Sequence, residues 1–160
     1  MNQRQPGVGC GAAIVRDGKL LLIQRRRPPE AGHWNLPGGK AEFLERLEDA
    51  VIREIREEIG VAVVIKDFLC LVQMLGVDGQ HWVSPVYRAN LLGGEPCLCE
   101  PDKISAVAWF DLDRLPAPLA QAASEAATAL TLTKRPTSLR AKRSNDETKA
   151  SGRSTRSQPV

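Results

Sequence analysis

The sequence lacks the long apolar runs of a membrane protein. No stretch approaches the roughly 18 consecutive apolar residues that a transmembrane helix requires. The first ten residues, MNQRQPGVGC, show no basic segment followed by an apolar one. We therefore expect a soluble, cytoplasmic protein with no membrane partner. Its 160 residues, 42% hydrophobic and 26% charged, suit one globular domain.

Cysteine is also scarce. The four cysteines (Cys10, Cys70, Cys97 and Cys99) are too few and too irregularly spaced for the disulfide framework of a small secreted domain, so we expect free thiols. Cys97 and Cys99 form a C-x-C pair. No second cysteine or histidine pair accompanies them, which favours a pair at the end of a strand over a zinc site.

The positive charge is concentrated at one end of the chain. The net charge is +3, but residues 134–160 carry eight Lys or Arg and two acidic residues, which leaves residues 1–133 at −3. This segment is rich in Ser, Thr, Pro and Gly, so we expect a disordered basic tail after a domain spanning residues 1–133. The tail has no aromatic residue to stack on bases, so we expect no specific nucleic-acid partner.

Hydrophobic periodicity and turn residues predict a mixed α/β domain with a sheet between helices. Asp17-Gly18 is typical of a type I′ hairpin turn, Gly60 marks the end of a helix, and Pro85 marks an edge strand or a bulge. The predicted elements are a hairpin at 8–24, a Pro- and Gly-rich loop with a short strand at 33–36, a helix at 45–59, strands at 61–75, 81–92 and 104–110, and a second helix at 118–132.

Three glutamates lie close together on the first predicted helix. Glu54, Glu57 and Glu58 follow the i, i+3, i+4 spacing, which places them within an arc of roughly 100°. The apolar residues of this helix point elsewhere, so we expect the acidic face to be exposed. Hard divalent cations prefer carboxylate ligands, so the face is either a metal site or a solvated surface paired with Arg53 and Arg56.

The spacing around these glutamates resembles the Nudix box, Gx5Ex7REUxEExGU, in which U is aliphatic. All nine specified positions match, from Gly39 through Glu45 to the run REIREEIGV that ends at Val61. The resemblance continues in HWNLPGG before the box and in EPDKISAVAWFDLDRLP after it, and covers roughly residues 8–130. It implies an α/β/α sandwich with a mixed β-sheet. Leu44 stands where relatives often carry glycine, so this turn departs from the family pattern.

The resemblance to Nudix hydrolases implies metal-dependent hydrolysis of a nucleoside diphosphate linked to another group, with Mg²⁺ or Mn²⁺ as cofactor. Arg53 would orient the glutamates, either Glu54 or Glu100 would accept the proton of the attacking water, and Glu45 and Gly60 would have structural roles. The metal ligands that the resemblance implies are the Gly39 carbonyl, Glu54, Glu57, Glu58 and Glu100.

Three residues outside the box are candidates for substrate binding. Arg25 and Arg26 leave the second predicted strand beside the expected site, and guanidinium groups suit phosphate. His33 is a candidate for stacking on the substrate or hydrogen bonding to it.

The downstream sequence favours one substrate class. Residues typical of ADP-ribose-, dinucleoside-polyphosphate- and NADH-cleaving relatives are absent, and EPDK followed by WFDLDRLP resembles the mutator-type group. We therefore expect a (deoxy)nucleoside triphosphate pyrophosphohydrolase that releases the monophosphate and pyrophosphate. An ADP-ribose or nucleotide-sugar diphosphatase, a non-catalytic nucleotide sensor and a homodimeric assembly stay open.

Overall fold

A computed structural model of the protein describes residues 5–133. The predicted basic tail, residues 134–160, lies outside the described residues. No helix within the described range is long and apolar enough to cross a membrane. The elements are β1 (Gly7–Arg16), β2 (Lys19–Arg25), β3 (Trp34–Asn35), β4 (Gly38–Lys40), α1 (Leu47–Ile59), β5 (Ala62–Leu75), β6 (His81–Gly93), β7 (Ile104–Asp111) and α2 (Gln121–Thr133).

Strand β1 organises a mixed seven-stranded sheet. The main strand order is β3-β2-β1-β6-β5, with β4 added to β1 and β7 to β2. Strand β1 pairs antiparallel with β2 and β4, and parallel with β6. The predicted hairpin turn is confirmed, because Asp17 and Gly18 both have positive φ, 51° and 77°, as a type I′ turn requires.

The two helices cover opposite faces of the sheet. Successive side chains of a strand point to opposite faces, and on β2 Leu21 and Ile23 pack towards α1 while Leu20 and Leu22 pack towards α2. The predicted α/β/α sandwich is thereby confirmed. The helix residues buried in these two layers include Val51, Ile55 and Ile59 from α1, and Ala123, Ala126 and Leu130 from α2.

Two predicted boundaries differ from the structure near the first helix. Residues 38–40, predicted as loop, form β4, because β1 offers a free edge on which Cys10 pairs with Gly39. Helix α1 begins at Leu47 rather than at residue 45. The preceding turn holds Glu45 outside the helix, where its backbone N–H donates to the Glu42 carbonyl at 3.2 Å.

Two further predictions need correction. Helix α2 begins at Gln121 rather than at residue 118, because Leu119 instead forms a bridge to Trp34. Pro85 lies in β6, an interior strand, so the edge alternative is wrong. The bulge alternative agrees with the structure, because the pairing of β5 with β6 shifts register between Phe68 and Cys70, directly before the Leu71–Pro85 pair. The pairing of β6 with β1 passes from Val83 directly to Val86, so the missing N–H of proline interrupts no bond of that ladder.

The turn before α1 carries backbone strain at Leu44. Leu44 has φ of 65° and is the third residue of the turn that Glu42 and Glu45 close, the position where positive φ favours glycine. A non-glycine residue in this left-handed region costs about 1 to 2 kcal/mol. Both Phe43 and Leu44 point into solvent, at 93% and 89% exposure, so packing does not compensate for this cost.

Replacing Leu44 with glycine should therefore stabilise the protein. We expect Leu44→Gly to raise the free energy of unfolding by about 0.5 to 1 kcal/mol, the relieved strain less the extra chain entropy of glycine. Urea unfolding measures this change in free energy as a shift of the midpoint at constant m-value. Phe43→Gly is the matched control, since it removes a similarly exposed side chain at a residue without positive φ. An equal gain in both variants would contradict the strain argument.

Candidate active site

Helix α1 turns two of its three glutamates towards the sheet. Glu54 and Glu58 are 9% and 5% exposed, whereas the Glu57 side chain is 46% exposed. The predicted exposed acidic face is thus wrong for Glu54 and Glu58. One turn apart, these two residues flank the apolar stripe of the helix on the side where β4 approaches, and the packing of α1 buries them with it.

Gly39 makes room for the Glu54 carboxylate, and Gly38 allows β4 to lie close to β1. A Cβ atom at Gly39 would overlap the Glu54 carboxylate, and one at Gly38 would overlap the backbone of Cys10. The Gly38 N–H donates a hydrogen bond of 2.9 Å to Glu58 Oε2. Only residues without a side chain allow the strand and the acidic side of α1 to approach this closely.

Arg53 ties the acidic residues of the box together. Its guanidinium donates two hydrogen bonds of 2.8 Å to the Glu45 carboxylate, one of 2.9 Å to Glu54 and one of 3.2 Å to Glu57. It also reaches the Lys40 carbonyl at 3.1 Å. The bidentate contact with Arg53 lowers the pKa of Glu45 to about 2. Arg53 therefore fixes the turn, the helix and β4 relative to one another.

Burial changes the protonation of Glu58. The pKa of the Glu58 carboxyl is raised to about 8: loss of solvent is the largest cause, the Gly38 N–H and Arg25 oppose the rise, and the negative charges of Glu54 and Glu100 add to it. The nearby negative charges come from two separate parts of the chain. A cation at this place would stabilise all three carboxylates.

Glu100 approaches this site from the connection between β6 and β7. Its Oε1 accepts an ion-pair contact of 2.7 Å from Lys103 Nζ, while its Oε2 is buried and has no hydrogen-bond partner among the described residues. A buried carboxylate oxygen without a partner is costly. A ligand that supplies positive charge or a donor would remove that cost.

The residues at this site suit a hard divalent cation by their chemistry. The side-chain donors are carboxylate oxygens, which Mg²⁺ and Mn²⁺ prefer, and Glu100 Oε2 lacks a partner. Within residues 5–133, no group of three or more His, Cys, Asp or Glu side chains is already arranged to coordinate a metal ion. Instead, the Glu54 and Glu57 carboxylates accept hydrogen bonds from Arg53, and the Glu58 carboxylate accepts one from the Gly38 N–H. Binding of a cation would replace some of these contacts.

A cavity of about 280 Å³ opens beside the two glycines of β4. Its walls come from β1, β4, β5, β6 and the loop that follows β2. Apolar side chains alternate with polar ones in the lining, as expected of a small-molecule site. Side chains of the lining include Asn35, Leu36, Met74, Gln80, Trp82 and Ser84.

Arg25 is the predicted substrate-binding residue that lines this cavity. Its Nε donates to the Pro29 carbonyl at 2.7 Å. Burial lowers the pKa of its guanidinium, and the charges of Glu58 and Glu30 oppose this. Arg26 and His33 are not in the lining. The Arg26 side chain is exposed, and the His33 ring lies 3.2 Å from the Ala31 carbonyl within its own loop.

Glu30 is a cavity residue that the sequence did not single out. Its Oε1 accepts a hydrogen bond of 2.8 Å from the Gln121 N–H at the start of α2, while its Oε2 is buried without a partner in the described part of the chain. It lies in the loop after Pro28-Pro29, and no motif or spacing distinguishes it from an exposed loop acid. Only the folded loop places it in the lining.

The comparisons with known proteins agree with this geometry. The NUDIX domain family matches residues 3–131. The solved structure of a MutT Nudix hydrolase from Burkholderia pseudomallei is 53% identical, with a TM-score of 0.76 over 79% of this chain and 99% of that one. The chain belongs to the Nudix hydrolase family.

Two curated relatives carry different substrate names. An ADP-ribose pyrophosphatase of Methanocaldococcus jannaschii is 38% identical over 112 residues, which cover 69% of this chain and 65% of the relative. A putative 8-oxo-dGTP diphosphatase 2 of Mycobacterium tuberculosis is 38% identical over 114 residues, covering 64% of this chain and 79% of the relative. The matched region thus spans less than two thirds of the M. jannaschii protein.

Substituting Gly39 should disturb the cation site directly. In Gly39→Ala the new methyl group overlaps the Glu54 carboxylate, so Glu54 must move away from β4. We expect the affinity for Mn²⁺ to fall roughly tenfold or more, measured from the electron paramagnetic resonance signal of free Mn²⁺. Glu42→Ala, in the exposed turn nearby, serves as control. Unchanged Mn²⁺ affinity in Gly39→Ala would exclude a cation site at this contact.

Proposed function

We propose that the protein hydrolyses (deoxy)nucleoside triphosphates to the monophosphate and pyrophosphate with the help of Mg²⁺ or Mn²⁺. The observation that carries this proposal is the position of the Glu54 and Glu58 carboxylates. They are buried against Gly38 and Gly39, and both glycines also line the cavity. A nucleotide in the cavity would hold its phosphates next to the carboxylates.

The residues of the site divide into holding and positioning roles. Glu54, Glu57, Glu58, Glu100 and the Gly39 carbonyl would hold the divalent cation. When bound, such a cation neutralises phosphate charge and lowers the pKa of water. Arg53 positions the glutamates through the contacts described above, and Glu45 fixes Arg53 in turn.

Three side chains bear on the remaining chemistry. Glu54 and Glu100 are the two candidates for accepting the proton of an attacking water. Glu54 Oε1 already accepts a bond from Arg53, and Glu100 Oε2, buried and unpartnered, is the oxygen that would face the cation. Arg25 is charged, lines the cavity and lies close enough to Glu58 for their charges to interact. We assign it to a phosphate oxygen of the substrate.

The size of the cavity favours a substrate with a single sugar. Its volume of about 280 Å³ is below the roughly 300 to 1,000 Å³ of pockets for drug-sized ligands. A nucleoside triphosphate, with one base and one sugar, fits a cavity of this size better than ADP-ribose, which carries a second ribose beyond its diphosphate. The M. tuberculosis relative, named as a putative 8-oxo-dGTP diphosphatase, agrees with this choice.

One observation favours a second function. The M. jannaschii relative is named ADP-ribose pyrophosphatase, and cleavage of ADP-ribose would use the same carboxylates. The two substrates differ in the group beyond the second phosphate, and therefore in the products released. A substrate panel separates them.

The decisive experiment measures product release from the substrate panel, with the wild type and with a variant of the acidic helix. With Mg²⁺ or Mn²⁺, we expect pyrophosphate release from one or more NTPs, dNTPs or oxidised dNTPs. Glu57→Gln should lower kcat roughly 10- to 100-fold, because it removes a charged cation ligand. Glu48→Gln, in the first turn of the same helix, is the matched control and should retain activity.

Each other result of the panel has a definite meaning. Release of AMP and ribose 5-phosphate from ADP-ribose would replace the triphosphate function with the second one. Tight nucleotide binding without any product would identify a nucleotide sensor. Equal activity in Glu57→Gln and Glu48→Gln would remove Glu57 from the cation site.

Glu30 is suited to select the base. Glu30 lines the cavity, and its buried, unpartnered Oε2 accepts hydrogen bonds only. An exocyclic amino group, present on guanine, adenine and cytosine and absent from thymine and uracil, can satisfy it. A site built to receive a hydrogen bond discriminates strongly against a ligand that lacks the donor.

Neutralising Glu30 should therefore weaken selection among bases. Glu30→Gln can keep the oxygen that caps Gln121 but replaces Oε2 with an amide donor. We expect kcat/KM for a preferred base with an amino group to fall roughly tenfold or more, with a smaller effect on thymine or uracil, which have no amino group to lose this contact. Steady-state kinetics across the four bases measures this, with Glu42→Gln as control. An equal loss for every base would show that Glu30 supports the fold rather than selecting substrate.

A further inference from the structure

The two cysteines of the C-x-C pair lie together at the end of the acidic helix. Their Sγ atoms are 3.4 Å apart, and both residues are exposed. They do not end a strand as predicted, but follow β6 in the connection to β7. Both sulfur atoms stand over Gly60, where an added Cβ would lie 3.0 Å from Cys99 Sγ and 3.1 Å from Cys97 Sγ.

The backbone of the two cysteines is hydrogen-bonded to the end of α1. The Cys97 N–H donates to the Ile59 carbonyl at 3.0 Å, and the Cys99 N–H donates to the Glu58 carbonyl at 3.0 Å. These bonds link the cysteines to a residue of the proposed cation site. Glu100, the carboxylate with an unpartnered buried oxygen, follows Cys99 directly in the chain.

We propose that Cys97 and Cys99 form a reversible dithiol–disulfide site whose oxidation displaces Glu100 from the cation site. The first part rests on the geometry of the thiols alone. The second part rests also on the proposed function, since that function assigns Glu100 to the cation. The other two cysteines lie elsewhere: Cys10 is buried under β4, and Cys70 lies in β5.

The oxidation is a two-electron step with a peroxide as oxidant. One thiolate attacks a peroxide oxygen, which forms a sulfenic acid and releases hydroxide. The second thiol attacks the sulfenic sulfur and expels water. In total, two thiols lose two protons and two electrons, the S–S bond forms, and one hydrogen peroxide becomes two waters. A small-molecule dithiol reverses the step by thiol–disulfide exchange.

Closing the disulfide must move atoms near Glu100. The sulfurs have to approach from 3.4 Å to the bonded distance of about 2.05 Å. The N–H groups of Cys97 and Cys99 are held by the end of α1. The intervening Leu98 and the following Glu100 therefore have to adjust to the closed ring. We expect the oxidised protein to bind Mn²⁺ and turn over substrate less well.

The disulfide itself is tested without substrate. The reduced full-length protein is titrated with hydrogen peroxide, and remaining thiols are alkylated and located by peptide mass spectrometry. We expect loss of two hydrogen atoms in the peptide that contains Cys97 and Cys99, and recovery with a dithiol. Cys70→Ser should behave as wild type, whereas Cys97→Ser and Cys99→Ser should form no intrachain bond. Oxidation of all four thiols at one rate, or no bond between this pair, would overturn the site.

The coupling to Glu100 is tested on the same samples. We expect the Mn²⁺ affinity of the oxidised wild type to fall roughly tenfold and to recover on reduction, while Cys97→Ser/Cys99→Ser keeps its affinity after peroxide. Unfolding midpoints of each form control for loss of structure. Formation of the disulfide with unchanged Mn²⁺ affinity would overturn the coupling. A loss of affinity on oxidation in a protein that cleaves no substrate of the panel would support the coupling and reject the proposed function.

Discussion

The close approach of β4 to α1 is the contact on which the site depends. Gly39 carries no side chain that would keep β4 away from the helix, and Gly38 carries none that would keep it away from β1, so two glutamates can be buried there. Burial of like charges is unfavourable. In this protein it is offset by the Gly38 N–H and by Arg53, whose guanidinium connects Glu45, Glu54 and Glu57. The acidic site is thus held by groups that a bound cation would partly replace.

The turn before α1 is strained, and the same turn positions a residue of the acidic site. Leu44 adopts a left-handed conformation that costs free energy in a non-glycine residue. The turn nevertheless keeps Glu45 in bidentate contact with Arg53. The strain is therefore carried by a segment whose shape the acidic cluster requires, and the exposed side chains of Phe43 and Leu44 contribute little to holding it.

Much of the fold followed from local patterns in the sequence, and the errors have physical causes. The Asp17-Gly18 hairpin, the stop at Gly60 and the strands after α1 depend on turn chemistry and periodicity, which are local. The burial of Glu54 and Glu58 depends on where β4 lies, and β4 forms only because β1 offers it an edge. Glu30 could not be recognised, since its role in the cavity wall arises from a loop folded against α2.

The parallel pairing of β1 with β6 joins two segments that are far apart in the chain. Val8 lies beside Val83 in this ladder, and the layer that receives α1 includes Tyr87 and Ala89 from β6. Contacts between such distant segments form only after a large part of the chain has been ordered. A fragment ending before β6 would contain every residue of the box, yet it would lack the β6 part of the layer that receives α1 and the loop that brings Glu100. During synthesis, the chain therefore contains the complete motif before it can form the complete site, because β6 and Glu100 are added later.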